Sequence, residues 1–180
     1  TLDISDPTDP IVVHALPALK SPREMAIKGD ILYVVDARKD LVLLDLSNPK
    51  MPQLIKSVKT AGPAFHMDIE DDLLVIAEGS DGVEVFSIED PMNPKSLSVT
   101  NIFASALQVS ISKKRIWIAA HGSIAVLDAA DPTSLVPIAR EPCISVNLAI
   151  DSYEDRAFVC DWDYFSIVRL DPEVQAPQAW

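Results

Sequence analysis

Short apolar runs separated by polar turn residues recur along the whole chain. Runs such as Ile31–Asp36 and Leu41–Leu46 are rich in Val, Ile and Leu and end at Asp, Gly or Pro. No stretch has apolar residues at the i, i+3, i+4, i+7 spacing that an amphipathic helix requires. Short β-branched runs bounded by turn residues are typical of strands. The pattern therefore predicts an all-β protein without helices.

These runs belong to an internal repeat whose length is close to that of a propeller blade, about 40–45 residues. The segment Leu44–Pro52 consists of the end of a strand followed by polar turn residues and two prolines. Similar segments recur at a fixed spacing. Three copies end at evenly spaced prolines, Pro10, Pro52 and Pro94, and a fourth copy contains Pro132. A second series of equivalent strand positions keeps this spacing to within one position: Tyr33, Val75, Trp117 and Phe158. A fifth, shortened copy of the motif begins at Leu170.

Each repeat contains four predicted strands, which in the first are Glu24–Lys28, Ile31–Asp36, Leu41–Leu46 and Gln53–Lys59. Four short antiparallel strands in a repeat of this length are typical of β-propeller blades. We expect one propeller domain of four-stranded blades over residues 1–180, with repeats at about 11–52, 53–94, 95–137 and 138–177. The fourth repeat is expected to lack an outer strand.

The two ends of the chain leave open whether four blades close into a ring. Ile11–Leu16 is an outer strand without its own repeat, and pairing it with the fourth repeat would close a four-bladed ring. Residues 1–10 and 168–177, however, repeat the same connection and would compete for one place. This redundancy favours a section of a larger propeller, whose open blade edges could pair with other chains.

The segment Leu41–Pro52, Leu-Val-Leu-Leu-Asp-Leu-Ser-Asn-Pro-Lys-Met-Pro, resembles the LVIVD repeat of bacterial and archaeal exported β-propellers. Val83–Pro94 and Ile124–Pro132 resemble it less closely, and the fourth repeat departs from it with Arg169 in place of Asp. The resemblance implies a propeller and an extracytoplasmic setting, in the cell envelope or secreted. It implies no catalytic chemistry.

The charge and composition limit the class of partner. The chain has 15 basic and 27 acidic residues and a net charge of −12. It has no basic stripe for nucleic acid and no apolar run of the ~18 residues that membrane insertion needs. We expect a protein or a surface polymer as the partner. Cys143 and Cys160 leave a disulfide open, although two buried free thiols are favoured.

A ring of polar residues is predicted at the propeller axis, where the innermost strands meet. Aligning Met25, Met67, Val109 and Leu148 brings together one polar neighbour from each repeat: Glu24, His66, Gln108 and Asn147. Such a ring could hold a ligand, water or a metal, or it could simply be a solvated channel mouth. One histidine and one carboxylate fall short of a catalytic zinc site.

A second, acidic ring is predicted at the ends of the second strands, at Asp36, Glu78 and Asp161, with Ala120 in the third repeat. These carboxylates could bind calcium, or they could accept backbone N–H bonds in the following turns. No cofactor is expected, with calcium at this ring as the alternative. Trp162 follows its strand and is a candidate for a partner contact, whereas Trp117 is expected to pack between blades.

The chain contains neither a Gly-x-Ser-x-Gly motif nor a phosphate-binding loop, so no catalytic residue is assigned. The favoured function is a non-catalytic interaction or ligand-binding module. One alternative is a metal-dependent hydrolase or lyase acting through Glu24 and His66. Another is a structural spacer within a larger multidomain protein.

Overall fold

The computed structural model describes residues 1–16, 19–38 and 40–170, with the backbone alone at 144–146. These residues form strands and turns and no helix. The strands are β1 (Leu2–Asp3), β2 (Ile11–Val12), β3 (Pro22–Lys28), β4 (Ile31–Asp36), β5 (Asp40–Asp45), β6 (Gln53–Val58), β7 (His66–Glu70), β8 (Leu73–Ala77), β9 (Val83–Ser87), β10 (Lys95–Thr100), β11 (Ala106–Ser112), β12 (Arg115–Asp128), β13 (Val136–Tyr153), β14 (Arg156–Asp161) and β15 (Phe165–Arg169).

Blades 1 and 2 are four-stranded antiparallel sheets in sequence order. Blade 1 has the strand order β3-β4-β5-β6, and blade 2 is built from β7 to β10 in the same way. Adjacent strands are joined by short turns, such as the one at Gly29, whose φ of 58° is readily adopted by glycine. The predicted strands of both blades are confirmed to within a few positions at their ends.

Blades 3 and 4 lie in one continuous ladder, β11-β12-β13-β14-β15. The first part of β12 pairs with β11 and its second part with β13. The Ala129 N–H donates to the Lys114 carbonyl at 2.8 Å, so the two ends of β12 lie side by side. The strand therefore folds back near Gly122, whose φ is 77°.

The strand β13 passes from one blade to the next. It is the outer strand of blade 3 up to Pro142 and the inner strand of blade 4 from Asn147 onward. The sequence predicted separate strands here, and the structure joins them because the connection stays extended. Blade 4 has three described strands. The part of the fourth repeat beyond residue 170, including the rest of the fifth motif copy, lies outside the described residues.

The repeated Asp and Asn residues form the turns after the third strands. The Asp45 carboxylate accepts the Ser47 N–H at 2.7 Å, and the Asn48 side chain accepts the Lys50 N–H at 3.1 Å. Side chains of this type stabilise turns by bonding a backbone N–H two residues later. The Asp and Asn residues of the repeat motif therefore stabilise the turn between the third and fourth strands.

The core lies between consecutive blades. We call the face of a blade that points to the next blade its forward face and the opposite face its backward face. The forward face of blade 1, around Tyr33 and Leu43, packs against the backward face of blade 2, around Phe86 and Ile88. Equivalent clusters join blade 2 to blade 3 and blade 3 to blade 4. Trp117 is fully buried in the last of these, which confirms its predicted place between blades.

The N-terminal strands do not close the ring in the described structure. Only Ile11–Val12 of the predicted outer strand Ile11–Leu16 is a strand, and it pairs with Leu2–Asp3. Within the described residues, β15 pairs with β14 alone. Leu16 instead packs on the backward face of blade 1, because that face needs apolar cover.

The two cysteines are free, with Cys143 half-buried and Cys160 exposed. The expectation that both thiols are buried is therefore wrong for Cys160. Its side chain belongs to the forward face of blade 4, which no described blade covers.

Burial between blades predicts a large difference between two leucines of blade 1. Leu43 is fully buried, whereas Leu54 on the outer strand is 47% exposed. We expect Leu43→Ala to lower the free energy of unfolding by about 2–5 kcal/mol, because it leaves a cavity between two blades. Leu54→Ala should cost about 1 kcal/mol or less. Urea denaturation of both variants measures this, and equal losses would contradict the assignment of the core.

Candidate functional site

The inner strands of all four blades line one cleft at the axis, with a volume of about 300 Å³. Its apolar wall contains one residue from each blade: Met25, Met67, Val109 and Ile150. These residues are equivalent in the repeat, because each pairs with the same position of the second strand of its blade. Met25 is 61% exposed, whereas the other three are buried. The cleft is therefore most open at blade 1.

The predicted ring residues Glu24 and His66 come together in this cleft. The His66 Nε2 lies 3.4 Å from Glu24 Oε2, and its Nδ1 faces the Val109 N–H at 3.5 Å. Because Nδ1 accepts that N–H, the ring proton belongs on Nε2, where it is directed at Glu24. Burial lowers the pKa of His66 below 6.5, although the carboxylates of Glu24 and Asp68 act in the opposite direction. His66 is therefore neutral at pH 7.

A network that the sequence did not predict adds two carboxylates to the cleft. Asp68 Oδ2 accepts the Ile111 N–H at 2.8 Å and lies 3.1 Å from the Ser110 hydroxyl. The same hydroxyl lies 3.5 Å from Asp151 Oδ1, which also accepts the Ser152 N–H at 2.8 Å. A hydroxyl has one hydrogen to donate, so Ser110 cannot satisfy both carboxylates. The pair remains an acidic surface within the cleft.

A signal for this network was present in the sequence. Asp68 lies two positions after His66, and alternate residues of a strand point to the same face. Ser110 lies one repeat after Asp68, and Asp151 lies one repeat after Ser110. Extending the alignment by two positions along the inner strands would have found Asp68 and Ser110, whereas Asp151 lies four positions after Asn147.

The third predicted ring residue, Gln108, bonds to the backbone of blade 4. Its amide N–H₂ donates to the Leu148 carbonyl, and its Oε1 accepts the Ile150 N–H at 3.4 Å. Both ends of the side chain are used. Gln108 therefore joins two inner strands and is not available to a ligand in this arrangement.

The fourth predicted ring residue, Asn147, lies elsewhere. Its side chain is buried and donates to the carbonyls of Ala120 at 3.0 Å and Ser123 at 2.9 Å, which fastens the turn of β12. In blade 4, Ala149 pairs with Cys160. In blade 3, Gln108 pairs with Ala119, which is the position equivalent to Cys160. The equivalent of Gln108 is thus Ala149, and the alignment that selected Asn147 was shifted by two positions.

Two members of the acidic ring have the structural role that was one of the two predictions. Asp36 accepts the backbone N–H groups of Lys20, Ser21 and Arg38 at 2.6, 3.0 and 2.9 Å. Asp161 accepts the N–H groups of Asp163 and Tyr164 at 2.8 and 2.6 Å. The carboxylate oxygens of both residues therefore stabilise the backbone of nearby loops and turns.

Glu78 differs from these two. It is fully buried beside Glu84, which is itself 3% exposed and accepts the Ala61 N–H at 2.8 Å. Burial and the Glu84 carboxylate together raise the pKa of Glu78 to about 9. Two buried carboxylates in contact cannot both be charged without a large cost, so the pair holds a proton at pH 7. The sequence did not predict the role of Glu84, because it lies on the neighbouring strand β9.

The calcium and partner-contact hypotheses both stay predictions. Among residues 1–16, 19–38 and 40–170, no group of three or more His, Cys, Asp and Glu side chains is placed to hold a metal ion. Nor do these residues contain a helix long and apolar enough to cross a membrane. Trp162 is 71% exposed, so its ring is available for contact, and its role in binding stays a prediction.

The fold defines the chain as a β-propeller. It is similar to the computationally designed Ika4 protein, with a TM-score of 0.71 and 16% identity over 87% of this chain and 96% of that one. It is also similar to the designed Ika8 protein, with a TM-score of 0.68, 16% identity and 83% coverage of this chain. A third similar structure is the Myceliophteria thermophila Cps50 (Swd1) β-propeller domain, with a TM-score of 0.68, 13% identity and 83% coverage of this chain.

The family match is more specific than these likenesses. Residues 21–60, which include blade 1, match the family model of the LVIVD repeat, which is the repeat that the segment Leu41–Pro52 resembles. No curated protein matches the chain. The chain spans nearly all of Ika4 but only 46% of Ika8 and 51% of the Cps50 domain. At these identities, the solved structures show the fold alone.

The buried carboxyl pair predicts a pH-dependent stability. Because the pKa of Glu78 rises from 4.5 to about 9 on folding, the stability given by its protonated form is complete below pH 4.5 and is lost as the pH rises through 9. We expect Glu78→Gln to raise the free energy of unfolding by about 2 kcal/mol near pH 9 and to have little effect near pH 4.5.

Chemical denaturation across this pH range measures the effect, with Glu89→Gln as the matched control at an exposed position. A wild-type pH profile that Glu78→Gln leaves unchanged would show that Glu78 is charged in the folded protein.

Proposed function

We propose that this propeller is a non-catalytic binding module of an exported or cell-surface protein. Its axial cleft receives a cationic group from the partner, which is a protein or a surface polymer. The observation that supports this most directly is the convergence of Glu24, Asp68 and Asp151 with a neutral His66 in one cleft.

The charge of the cleft favours a cation. Its ionisable groups are the three carboxylates and one histidine that burial keeps uncharged at pH 7. A net charge of −12 over the chain gives the surrounding field the same sign. A negative cleft of this kind concentrates cationic groups and speeds their association.

The shape and wall favour a single side chain or a small substituent. A volume of about 300 Å³ is at the lower end of the range for ligand pockets. Met25, which is 61% exposed, provides apolar contact beside the carboxylates. Lysine and arginine side chains combine an apolar stem with a charged end, so both parts of such a side chain find matching surfaces.

The hydrogen bonds of the cleft favour binding over catalysis. A nucleophilic serine needs a base that accepts its proton. Ser110, however, is only 3% exposed, so a substrate cannot reach its hydroxyl, and the ring nitrogens of His66 face Glu24 and the Val109 backbone instead of that hydroxyl. The polar groups are thus held in fixed positions that suit recognition of a charged group.

The test uses short lysine-rich and arginine-rich peptides as probes, with calorimetry on the wild type and on matched variants. We expect Glu24→Gln and Asp68→Asn each to weaken binding about tenfold, because each removes a charge-assisted contact worth about 1.4 kcal/mol. The control, Glu89→Gln, removes the same charge from an exposed position away from the cleft. Equal weakening by Glu89→Gln would mean that only the net charge matters, and would reject the cleft as the site.

The same proposal predicts a pH dependence with a definite sign. Because burial holds the pKa of His66 below 6.5, the ring gains a positive charge only as the pH falls below that value. This charge repels a bound cation, so we expect peptide affinity to fall about three- to tenfold on acidification below pH 6.5. His66→Gln should remove most of this dependence in the same calorimetric assay. A profile that His66→Gln does not change would place the titrating group elsewhere.

A further inference from the structure

Among residues 1–16, 19–38 and 40–170, nothing covers the apolar forward face of blade 4, unlike the forward faces of the other blades. In blades 1 to 3, four equivalent positions on the second and third strands form this face, and all are at most 4% exposed. In blade 1 these positions are Tyr33, Val35, Leu41 and Leu43. In blade 2 they are Val75, Ala77, Val83 and Val85, and in blade 3 they are Trp117, Ala119, Ile124 and Val126.

The ladder of blade 4 places Phe158 opposite Ile167 and Cys160 opposite Phe165. This is the pairing seen in blade 1 for Tyr33 with Leu43 and for Val35 with Leu41. Phe165 is 63% exposed and Ile167 is 59% exposed. Phe158 and Phe165 stack with ring centroids 6.4 Å apart. The face thus has the composition of a blade interface without a described blade against it.

The N-terminal strands carry the complementary surface. Leu2 is equivalent in the repeat to Leu44 and Phe86, and Ile4 is equivalent to Ile88. Phe86 and Ile88 form the backward face of blade 2 and pack on the forward face of blade 1. In the N-terminal strands, Leu2 is 57% exposed and Ile4 is 68% exposed. The chain therefore exposes a forward face at one end and, at the other, the part of a backward face that the third strand of a blade supplies.

We infer that a second copy of this chain binds head to tail, with the N-terminal strands of one copy covering the forward face of blade 4 of the other. The interface continues the packing that already joins blade 1 to 2, 2 to 3 and 3 to 4. It is heterologous, because two different surfaces meet, so two copies either close into one ring or form a longer chain of copies.

Three substitutions to glutamate test this arrangement. Ile167→Glu places a charge on the forward face of blade 4, and Ile4→Glu places one on the N-terminal backward face. Val99→Glu is the control, because Val99 is 49% exposed on the outer strand of blade 2. All three side chains are exposed in the single chain, so each variant should fold, which circular dichroism verifies.

Native mass spectrometry and sedimentation velocity then measure the assembly. We expect the wild type and Val99→Glu to form dimers or larger assemblies that dissociate on dilution. Ile167→Glu and Ile4→Glu should each be monomeric alone. An equimolar mixture of these two variants should give a one-to-one heterodimer, because each supplies the face that the other lacks.

Each other result overturns the inference. A wild type that stays monomeric at every concentration would show that the faces do not bind another copy. Dimers of Ile4→Glu alone would show that two forward faces bind each other. A mixture that stays monomeric, with wild type dimeric, would show that a different surface forms the assembly.

Discussion

The apolar packing of one blade against the next is the interaction on which this structure depends. A four-stranded sheet with Val, Leu and Ile on both faces is unstable in water unless both faces are covered. Tyr33 and Leu43 are buried only because blade 2 follows blade 1, and Trp117 is buried only because blade 4 follows blade 3. Each repeat therefore obtains its core from its neighbour, and the stacking brings all the inner strands to one axis.

The axial cleft is a consequence of this stacking. Glu24 and His66 lie one full repeat apart in the chain, yet their side chains approach to 3.4 Å because two inner strands lie side by side. The same geometry brings Asp68, Ser110 and Asp151 together from three blades. An acidic cleft thus arises from a few equivalent positions in each repeat.

Repetition also connects the two proposals. The cleft is formed by the inner strands of the blades. The proposed contact between copies uses the forward face of blade 4 and the exposed face of the N-terminal strands. The two surfaces use different side chains, acidic groups in one and Phe165 and Ile167 in the other. Loss of cation binding and loss of assembly can therefore be observed separately.

The sequence by itself determined the all-β class, the repeat and its length, the strands of blades 1 and 2 and the burial of Trp117, because these follow from local alternation and spacing. It also placed Glu24 and His66 at the axis. Only the tertiary structure decided that Asn147 fastens a turn, that Glu84 shares a buried site with Glu78, and that Asp68 faces Ser110. The physical reason is register: a shift by two positions keeps a side chain on the same face and preserves the pattern, yet it changes every contact across strands and blades.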